Sequence, residues 1–395
     1  MKNLSLYIHF PYCLYKCHYC DFNSYAVKDV SALQRPYVKA LFEELKAAQE
    51  IFKLAPFESI FLGGGTPSLF EAKVLGELME GLAREVGVSA GAEITLESNP
   101  KTIQSAQIRD FLSIGINRFS IGVQSFQDKF LAPLGRLHDA KEAIQTIEML
   151  EKEVENYNFD LMFGFPGQSL DDLKLDLATA LRFQPKHFSF YGLTLEEGTI
   201  FAEHHRQGKI QLLEDDLQAS MYETGVESFE KAGYPLYEIS NFARPGFESK
   251  HNLAYWHYSN YLALGAGSVS FLSKDFLRAE SCQKLPENLY GIRWTNLKSP
   301  EQYRADPGHF YKNRNWEIID DSTARKEFWM MGLRLKEGVS LKEFEKRFGE
   351  GQSQVYNSIV EEWENKGSIE IQKDRICLTA RGRLLANEVV SSFFI

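Results

Sequence analysis

Residues 7–20 read YIHFPYCLYKCHYC and place three cysteines, Cys13, Cys17 and Cys20, within eight positions of one another. Thiolates this close together suit an iron–sulfur cluster, and many such clusters take four cysteine ligands. A cubane has four irons, so three thiolates leave one iron without a protein ligand. That iron is free to bind a small molecule. The stretch therefore predicts a cluster that takes part in ligand binding.

Two other chemistries remain open for these cysteines. A zinc site would need a fourth ligand, which His18 or His9 could supply. A disulfide would pair two cysteines and leave the third over, and five cysteines in 395 residues do not form a disulfide framework. Cys282 and Cys377 stand alone in the sequence, and we expect them to be buried structural thiols.

The composition limits the class of protein. A chain of 395 residues that is 44% hydrophobic can bury the cores of two or three domains. No run of about 18 apolar residues predicts a membrane-spanning helix. The formal net charge of −10 does not favour non-specific binding to nucleic acid, so no nucleic-acid partner is expected. Free cysteines without an apolar export segment at the start predict a cytoplasmic protein.

Short apolar strands alternate with amphipathic helices in the first half of the chain. The candidate strands are Leu4–His9, Ser59–Leu62, Glu93–Ser98, Arg118–Val123, Asn158–Phe163 and His187–Tyr191. Between them, Tyr37–Gln49 has an apolar stripe of helical period, and Asp139 and Ser169 begin helices with capping boxes. Six such βα units predict an α/β fold with a parallel sheet and right-handed crossovers.

Two further regions follow. The alternation weakens in residues 196–300, which carry the stretch HNLAYW at His251–Trp256. Residues 320–395 read as a separate module. Its predicted elements are helices over Glu327–Leu335, Leu341–Phe348 and Ser353–Lys366 and a hairpin over Ser368–Thr379. Helices followed by a small hairpin resemble a winged helix, and many such modules pack or mediate contacts without binding DNA.

Polar and glycine-rich motifs follow successive strands. GGGTPS at Gly63–Ser68 follows the second strand, Glu97 ends the third, Gln124 follows the fourth, and Asp160 lies in the fifth. Arg136, in LGRLH, has a guanidinium suited to a carboxylate. Glycines allow the backbone to approach a ligand closely. Because the active site of a barrel gathers at the carboxyl ends of its strands, we expect these motifs to meet at one mouth.

In this order, the cysteines and the strand-end motifs resemble the radical S-adenosylmethionine (SAM) family. The resemblance implies a partial (β/α)6 barrel over residues 1–195, an extension over 196–300 and a C-terminal winged-helix-like domain over 320–395. It implies that the three cysteines hold a [4Fe–4S] cluster whose open iron chelates SAM. It also implies that SAM is contacted by a set of residues: Tyr7, Tyr19, Gly64, Gly65, Thr66, Glu97, Gln124, Arg136 and Asp160.

Within that family the chain resembles the HemW haem chaperones. The resemblance lies in GGGTP, in Tyr237–Ala243, in His251–Trp256 and in Gly332–Leu335. It implies that the protein binds haem and passes it to acceptor haem proteins of respiration, and it leaves peripheral membrane association open. The alternative is an oxygen-independent coproporphyrinogen III oxidase, whose motif adds a fourth cysteine where this chain has Phe22.

His251 is the candidate axial ligand, since an imidazole can bind haem iron, and Tyr255 and Trp256 could cover an apolar porphyrin face. His257 is a nearby rival. A histidine that is hydrogen-bonded in an interdomain core is the alternative role for His251.

Overall fold

The computed structural model describes residues 3–279, 285–313 and 316–394. Within these ranges the chain forms fifteen strands, besides two short residue pairs in the cysteine loop. The labelled strands are β1 (Leu4–Phe10), β2 (Phe57–Gly64), β3 (Val88–Ser98), β4 (Arg118–Gln124), β5 (Tyr157–Phe163), β6 (His187–Gly192), β7 (Leu236–Glu238), β8 (Asn241–Ala243), β9 (Tyr261–Leu264), β10 (Val269–Ser273), β11 (Leu289–Thr295), β12 (Glu317–Asp320), β13 (Val339–Ser340), β14 (Ile369–Gln372) and β15 (Arg375–Leu378).

The α-helices are numbered in the same way. They are α1 (Ser31–Ile51), α2 (Ala72–Glu85), α3 (Ser105–Ser113), α4 (Asp128–Leu131), α5 (Ala140–Glu153), α6 (Leu170–Leu181), α7 (Ile200–Arg206), α8 (Asp215–Lys231), α9 (Lys250–Trp256), α10 (Pro300–Ala305), α11 (His309–Asn313), α12 (Asp321–Gly332), α13 (Leu341–Phe348), α14 (Asn357–Asn365), α15 (Ala380–Leu384) and α16 (Ala386–Ser392).

Six parallel strands, β1 to β6, stand side by side in chain order and form the centre of one large sheet. Each predicted strand is found, with ends that differ by up to five residues. The strands are buried along most of their length, as expected where helices cover a parallel sheet. The α/β class and the partial (β/α)6 barrel are therefore confirmed, and the carboxyl ends of the six strands share one edge.

The weakly alternating region extends the sheet at both sides. β9 pairs in parallel with β1, and β10, β11 and β12 continue outward from it as antiparallel strands. On the other side β8 pairs with β6, and β7 with β8. Within the described residues the strand order is β12-β11-β10-β9-β1-β2-β3-β4-β5-β6-β8-β7. The division into residues 1–195, 196–300 and 320–395 stays a prediction.

Side-chain caps mark the starts of two predicted helices. Asp139 and Ser169 form reciprocal capping boxes at the starts of α5 and α6, as predicted. The helix predicted over Tyr37–Gln49 is longer, because α1 begins at Ser31 and includes Pro36 in its second turn. Apolar residues at helical spacing face the sheet in each case.

The C-terminal module packs around a second hydrophobic core, which includes Trp329, Phe344 and Phe393 and is shared with Tyr258 and Phe271 of the sheet extension. α13 has the predicted bounds, and the predicted hairpin appears as β14 and β15, joined at its edge by β13. The first predicted helix starts earlier, at α12, because Asp320 caps it. The third is divided into a 3-10 turn, Gln352–Tyr356, and α14.

Two further sequence predictions concern the solitary cysteines and membrane-spanning helices. Cys377 is a buried free thiol, as predicted, whereas Cys282 lies outside the described residues. In the ranges 3–279, 285–313 and 316–394, no helix combines the length and apolarity needed to cross a bilayer.

A buried carboxyl, Glu44 on α1, joins the barrel to the late part of the chain. It accepts hydrogen bonds from the Tyr303 hydroxyl, from the side-chain amide of Asn296 at 2.7 Å and from the backbone N–H of Gly265 at 2.9 Å. Its side chain has no exposed surface. Burial raises the pKa of Glu44 from 4.5 to about 7, although the hydrogen bonds act in the opposite direction.

This pKa predicts a pH-dependent contribution to stability. The folded pKa of Glu44 exceeds the unfolded value, so its contribution is fully present below pH 4.5 and is lost as the pH rises through 7. The free energy of unfolding of the wild type, relative to Glu44→Gln, should fall by about 3 kcal/mol across that window. Denaturant unfolding at several pH values measures the difference. The control Glu343→Gln removes a partly exposed carboxylate and should show the same fall as the wild type. If the free energy of unfolding changes with pH in the same way for the wild type and Glu44→Gln, the prediction is contradicted.

Candidate functional site

The loop that carries the three cysteines follows β1 and is closed by backbone hydrogen bonds. Tyr12–Cys13 and Tyr25–Ala26 form a short parallel pair. The N–H of Tyr25 donates to the Pro11 carbonyl at 2.7 Å, and the N–H of Val27 donates to the Cys13 carbonyl at 2.8 Å. The residues between the two pairs therefore form a compact loop at the carboxyl end of the first strand.

All three thiols are free and line one cavity of about 140 Å³. Cys13 Sγ accepts a hydrogen bond from the Thr66 hydroxyl at 3.5 Å, and Cys17 Sγ accepts one from Arg136 Nη1 at 3.5 Å. Donors directed at sulfur stabilise the thiolate form, which metal ligation requires. Three thiols on one cavity, two of them with such donors, fit an iron–sulfur cluster.

The two histidines considered for a zinc site are engaged elsewhere. His18 has Nδ1 2.8 Å from the Pro133 carbonyl oxygen and Nε2 3.0 Å from the Tyr15 hydroxyl. His9 has Nε2 2.9 Å from the Asn23 carbonyl oxygen and Nδ1 3.0 Å from the Tyr7 hydroxyl. Within the described part of the chain, no group of three His, Cys, Asp or Glu, the three cysteines included, is arranged to hold one metal ion, so it is the partners of the two histidines that disfavour zinc. The Cys3His arrangement is therefore not formed.

The glycine run packs directly on the cysteine loop. The N–H of Gly65 donates to the Phe10 carbonyl at 2.7 Å, and the N–H of Thr66 donates to the Tyr12 carbonyl at 2.9 Å. A Cβ atom at Gly65 would lie 2.6 Å from both of those carbonyl oxygens. Gly64 has φ of +107°, a region that favours glycine. Glycine is thus required here by close approach and by backbone conformation.

The residues predicted at the next strand ends meet at the same mouth. Glu97, Gln124 and Asp160 line the cysteine cavity, together with Arg136. Gln124 has φ of +70° beside an irregularity in the pairing of β4 with β5, and strained non-glycine residues of this kind occur often at functional sites. Residues that are distant in sequence therefore surround one ligand-sized space.

Two carboxyls in this space have shifted pKa values. Burial raises the pKa of Glu97 to about 7, and the nearby charge of Asp160 raises it further. Burial also raises the pKa of Asp160, against hydrogen bonds from Asn158, Ser189 and Ser120. A bound ammonium or hydroxyl group would favour the charged carboxylates. The pair is suited to a ligand with donor groups, and shifted pKa values are common at functional sites.

A second, larger cavity of about 420 Å³ adjoins the first. The residues common to the two cavities are Tyr19, Phe22, Glu97, Ser120, Gln124 and Asp160. Tyr7 lines the larger cavity only. We call the part away from the cysteines the far half; it is defined by Phe61, Arg118, Asn158, Tyr191, His251 and Tyr255. The site therefore has room for two adjacent ligands.

His251 lies in the far half and is 1% exposed. Its Nδ1 is 3.0 Å from the Ser59 hydroxyl, and its Nε2 is 2.9 Å from the Tyr255 hydroxyl. Because the Ser59 hydroxyl donates to Ser5, Nδ1–H donates to Ser59, and Nε2 accepts from Tyr255. Burial lowers the pKa of His251 to about 3, so the imidazole is neutral at physiological pH. Its role as an iron ligand stays a prediction.

The structure thus brings every sequence-predicted site residue onto the wall of one or both cavities. Two residues considered for haem lie elsewhere, because Trp256 and His257 both line a separate small cavity with Arg347 and Glu343. The expectation that Trp256 covers a porphyrin face beside His251 is therefore wrong. Sequence reasoning missed Asn99, which donates to Thr66 and accepts from Arg136, and it missed Arg118 in the far half. Asn99 lies two residues after Glu97, and that proximity was the available signal. Arg118 had no such signal.

Family models match the two ends of the chain. The radical SAM superfamily model matches residues 7–180, and the HemN C-terminal domain model matches residues 319–385. The first includes the cysteine loop and the strand ends described above. The second includes most of the C-terminal module.

Curated relatives are similar over nearly the whole chain. The heme chaperone HemW of Haemophilus influenzae is 37% identical, covering 99% of this chain and 97% of that protein. The heme chaperone HemW of Bacillus subtilis is 33% identical, covering 98% of each. Among solved structures, coproporphyrinogen III oxidase (HemN) from Escherichia coli, a radical SAM enzyme, superposes with a TM-score of 0.79 over 99% of this chain and 90% of that one. At 20% identity this likeness shows the fold alone.

Proposed function

The chain belongs to the HemW family of radical SAM proteins, and we propose that it binds haem and delivers it to acceptor haem proteins in the cytoplasm. On this proposal Cys13, Cys17 and Cys20 hold a [4Fe–4S] cluster, and SAM lies beside it. The observation that carries the proposal is the pair of adjoining cavities, one lined by the thiols and the other by His251.

The smaller cavity supports the proposal that a cluster and SAM bind there. When bound, a [4Fe–4S] cluster supplies an electron and an open iron for the amino-acid end of SAM. The protein would orient SAM through groups on the cavity wall: the backbone of Gly64 and Gly65, the carboxyls of Glu97 and Asp160, and the guanidinium of Arg136. Charge-assisted hydrogen bonds of this kind are short and strong, so they fix orientation.

The larger cavity supports the proposal that haem binds there. Phe61, Met162 and Tyr255 give it apolar and aromatic wall surface, which suits a porphyrin face. His251 presents a neutral imidazole, and its Nε2 lone pair is held by a single hydroxyl, that of Tyr255. The Tyr255 hydroxyl oxygen lies 2.9 Å from Nε2, so the Tyr255 side chain would have to move aside for iron while Ser59 keeps the ring in place. Iron ligation by His251 therefore needs one hydrogen bond to break.

A haem titration with variants tests this assignment. His251→Ala should weaken haem binding by about 10- to 100-fold, the range typical of a disturbed metal site. Absorbance during anaerobic titration of the reconstituted protein gives the Kd. His257→Ala is the matched control and should bind like the wild type, since His257 lines another cavity. Unchanged affinity in His251→Ala would assign the axial role to a different residue.

Transfer is tested by mixing the haem-loaded protein with an apo-haem protein. The proposal expects the absorbance of the acceptor's holo form to appear. Anaerobic incubation with coproporphyrinogen III, SAM and a reductant tests the alternative. Vinyl product formed together with methionine would replace the chaperone proposal by an oxidase. Failure of the wild type to bind haem would also overturn it.

A further inference from the structure

Arg118 is a buried cation without a partner. It is the first residue of β4, its side chain lines the far half, and it is 2% exposed. Within the part of the chain that the structure describes, its side chain makes no hydrogen bond and no ion pair, and Nε is a buried nitrogen without an acceptor. Buried charges in proteins are normally paired, because desolvation without compensation is costly. The Arg118 guanidinium therefore has free donors for an anion.

The carboxyls nearest to Arg118 do not supply that anion. The charge of Arg118 lowers the pKa of both Glu97 and Asp160, although burial dominates both shifts. Yet Glu97 Oε2 accepts from the N–H of Gly64 at 2.9 Å, and Asp160 Oδ1 accepts from Asn158 Nδ2 at 2.9 Å. Neither forms an ion pair with Arg118. The guanidinium remains available to a ligand.

We propose that Arg118 is the receptor for a carboxylate of the ligand that fills the far half. The identity of that ligand rests on the proposed function, on which it is haem and the carboxylate is a propionate. A guanidinium can donate two parallel hydrogen bonds to one carboxylate, which fixes orientation as well as affinity. Haem has an apolar face and carboxylate edges, and the far half has aromatic walls and one arginine.

SAM is the second source of a carboxylate at this site. Its carboxylate has a nearer receptor in Arg136, which lines the cysteine cavity and lies 3.5 Å from Cys17 Sγ. Arg118 does not line that cavity but shares the far half with His251. Burial lowers the pKa of His251 most, and the charge of Arg118 lowers it further. The arrangement therefore favours the propionate.

The test compares haem with haem dimethyl ester, in which the propionates cannot ionise. The wild type should bind haem on the order of 100-fold more tightly than the ester, as for a buried charge pair. Arg118→Gln should abolish this preference and leave ester binding unchanged. Arg35→Gln, which removes an exposed surface arginine, should keep it. Equal binding of both compounds by the wild type, or a preference retained by Arg118→Gln, would overturn the proposal.

Two further measurements keep the outcome clear. The unfolding temperature of ligand-free Arg118→Gln should equal or exceed that of the wild type, because an unpaired buried charge is removed; a variant that fails to fold would show a structural arginine instead. If the wild type binds no haem, the proposed function fails, and SAM is compared with its methyl ester. If Arg118→Gln loses the preference for SAM over its methyl ester, Arg118 is still a carboxylate receptor, but the carboxylate comes from SAM. If Arg118→Gln binds SAM like the wild type, the proposal is overturned.

Discussion

Cys17→Ser is expected to give a folded protein that no longer assembles its iron–sulfur cluster. The Cys17 side chain is half-buried, and the contact described for its sulfur is the donor Arg136. A serine hydroxyl keeps this hydrogen bond but is a poor iron ligand, since clusters are held by thiolates. Iron and acid-labile sulfide after anaerobic reconstitution should fall from about four of each per chain to near zero.

A second cysteine gives the matched control. Cys377→Ser alters a buried thiol in the C-terminal module, where Sγ donates to the Glu337 carbonyl at 3.2 Å. It should retain the cluster and lose about 1 kcal/mol of stability at most. A Cys17→Ser protein with wild-type iron and sulfide content would remove Cys17 from the ligand set.

Gly65→Ala is expected to disturb cluster and SAM sites together. The added Cβ would lie 2.6 Å from the carbonyl oxygens of Phe10 and Tyr12. Those oxygens accept from the N–H groups of Gly65 and Thr66, so neither can retreat without breaking a hydrogen bond. Overpacking of this kind costs about 1–3 kcal/mol. Denaturant unfolding, cluster content and the Kd for SAM should all worsen.

Gly308→Ala separates this effect from a general cost of losing glycine. A Cβ there would be 3.4 Å from Lys312 Cε, the far part of a flexible side chain. We expect wild-type stability and cluster content. Normal SAM affinity in Gly65→Ala would show that the loop can move apart from the glycine run.

Most of the barrel was predictable because its signals are local. Each of the six central strands is an apolar run, and each lies between helices whose caps and stripes are written in nearby residues. Strand ends were less well predicted: β3 begins at Val88, five residues before the expected Glu93. The position of the site followed from the order of motifs, since parallel strands bring their carboxyl ends together.

Contacts between distant segments were not predictable. The apolar run Tyr261–Leu264 does not reveal that it pairs with β1, because pairing depends on which strand edge remains open after the barrel forms. The same holds for Arg118, whose unpaired state arises only when several strands enclose it. The hydrogen bond of His251 to Ser59 joins segments nearly 200 residues apart and has no signal in the sequence. Its hydrogen bond to Tyr255 joins adjacent turns of α9, a spacing that the sequence does show.

The cysteine loop is supported from behind by residues made late in synthesis. Asn23 donates to the carbonyl oxygens of Ala266 and Lys298, each at 2.9 Å. A nascent chain on the ribosome therefore has the three cysteines long before it has their support. We expect iron and sulfide to be inserted after residue 298 has left the exit tunnel, and chains truncated before that point to be poor recipients for the cell's cluster-assembly machinery.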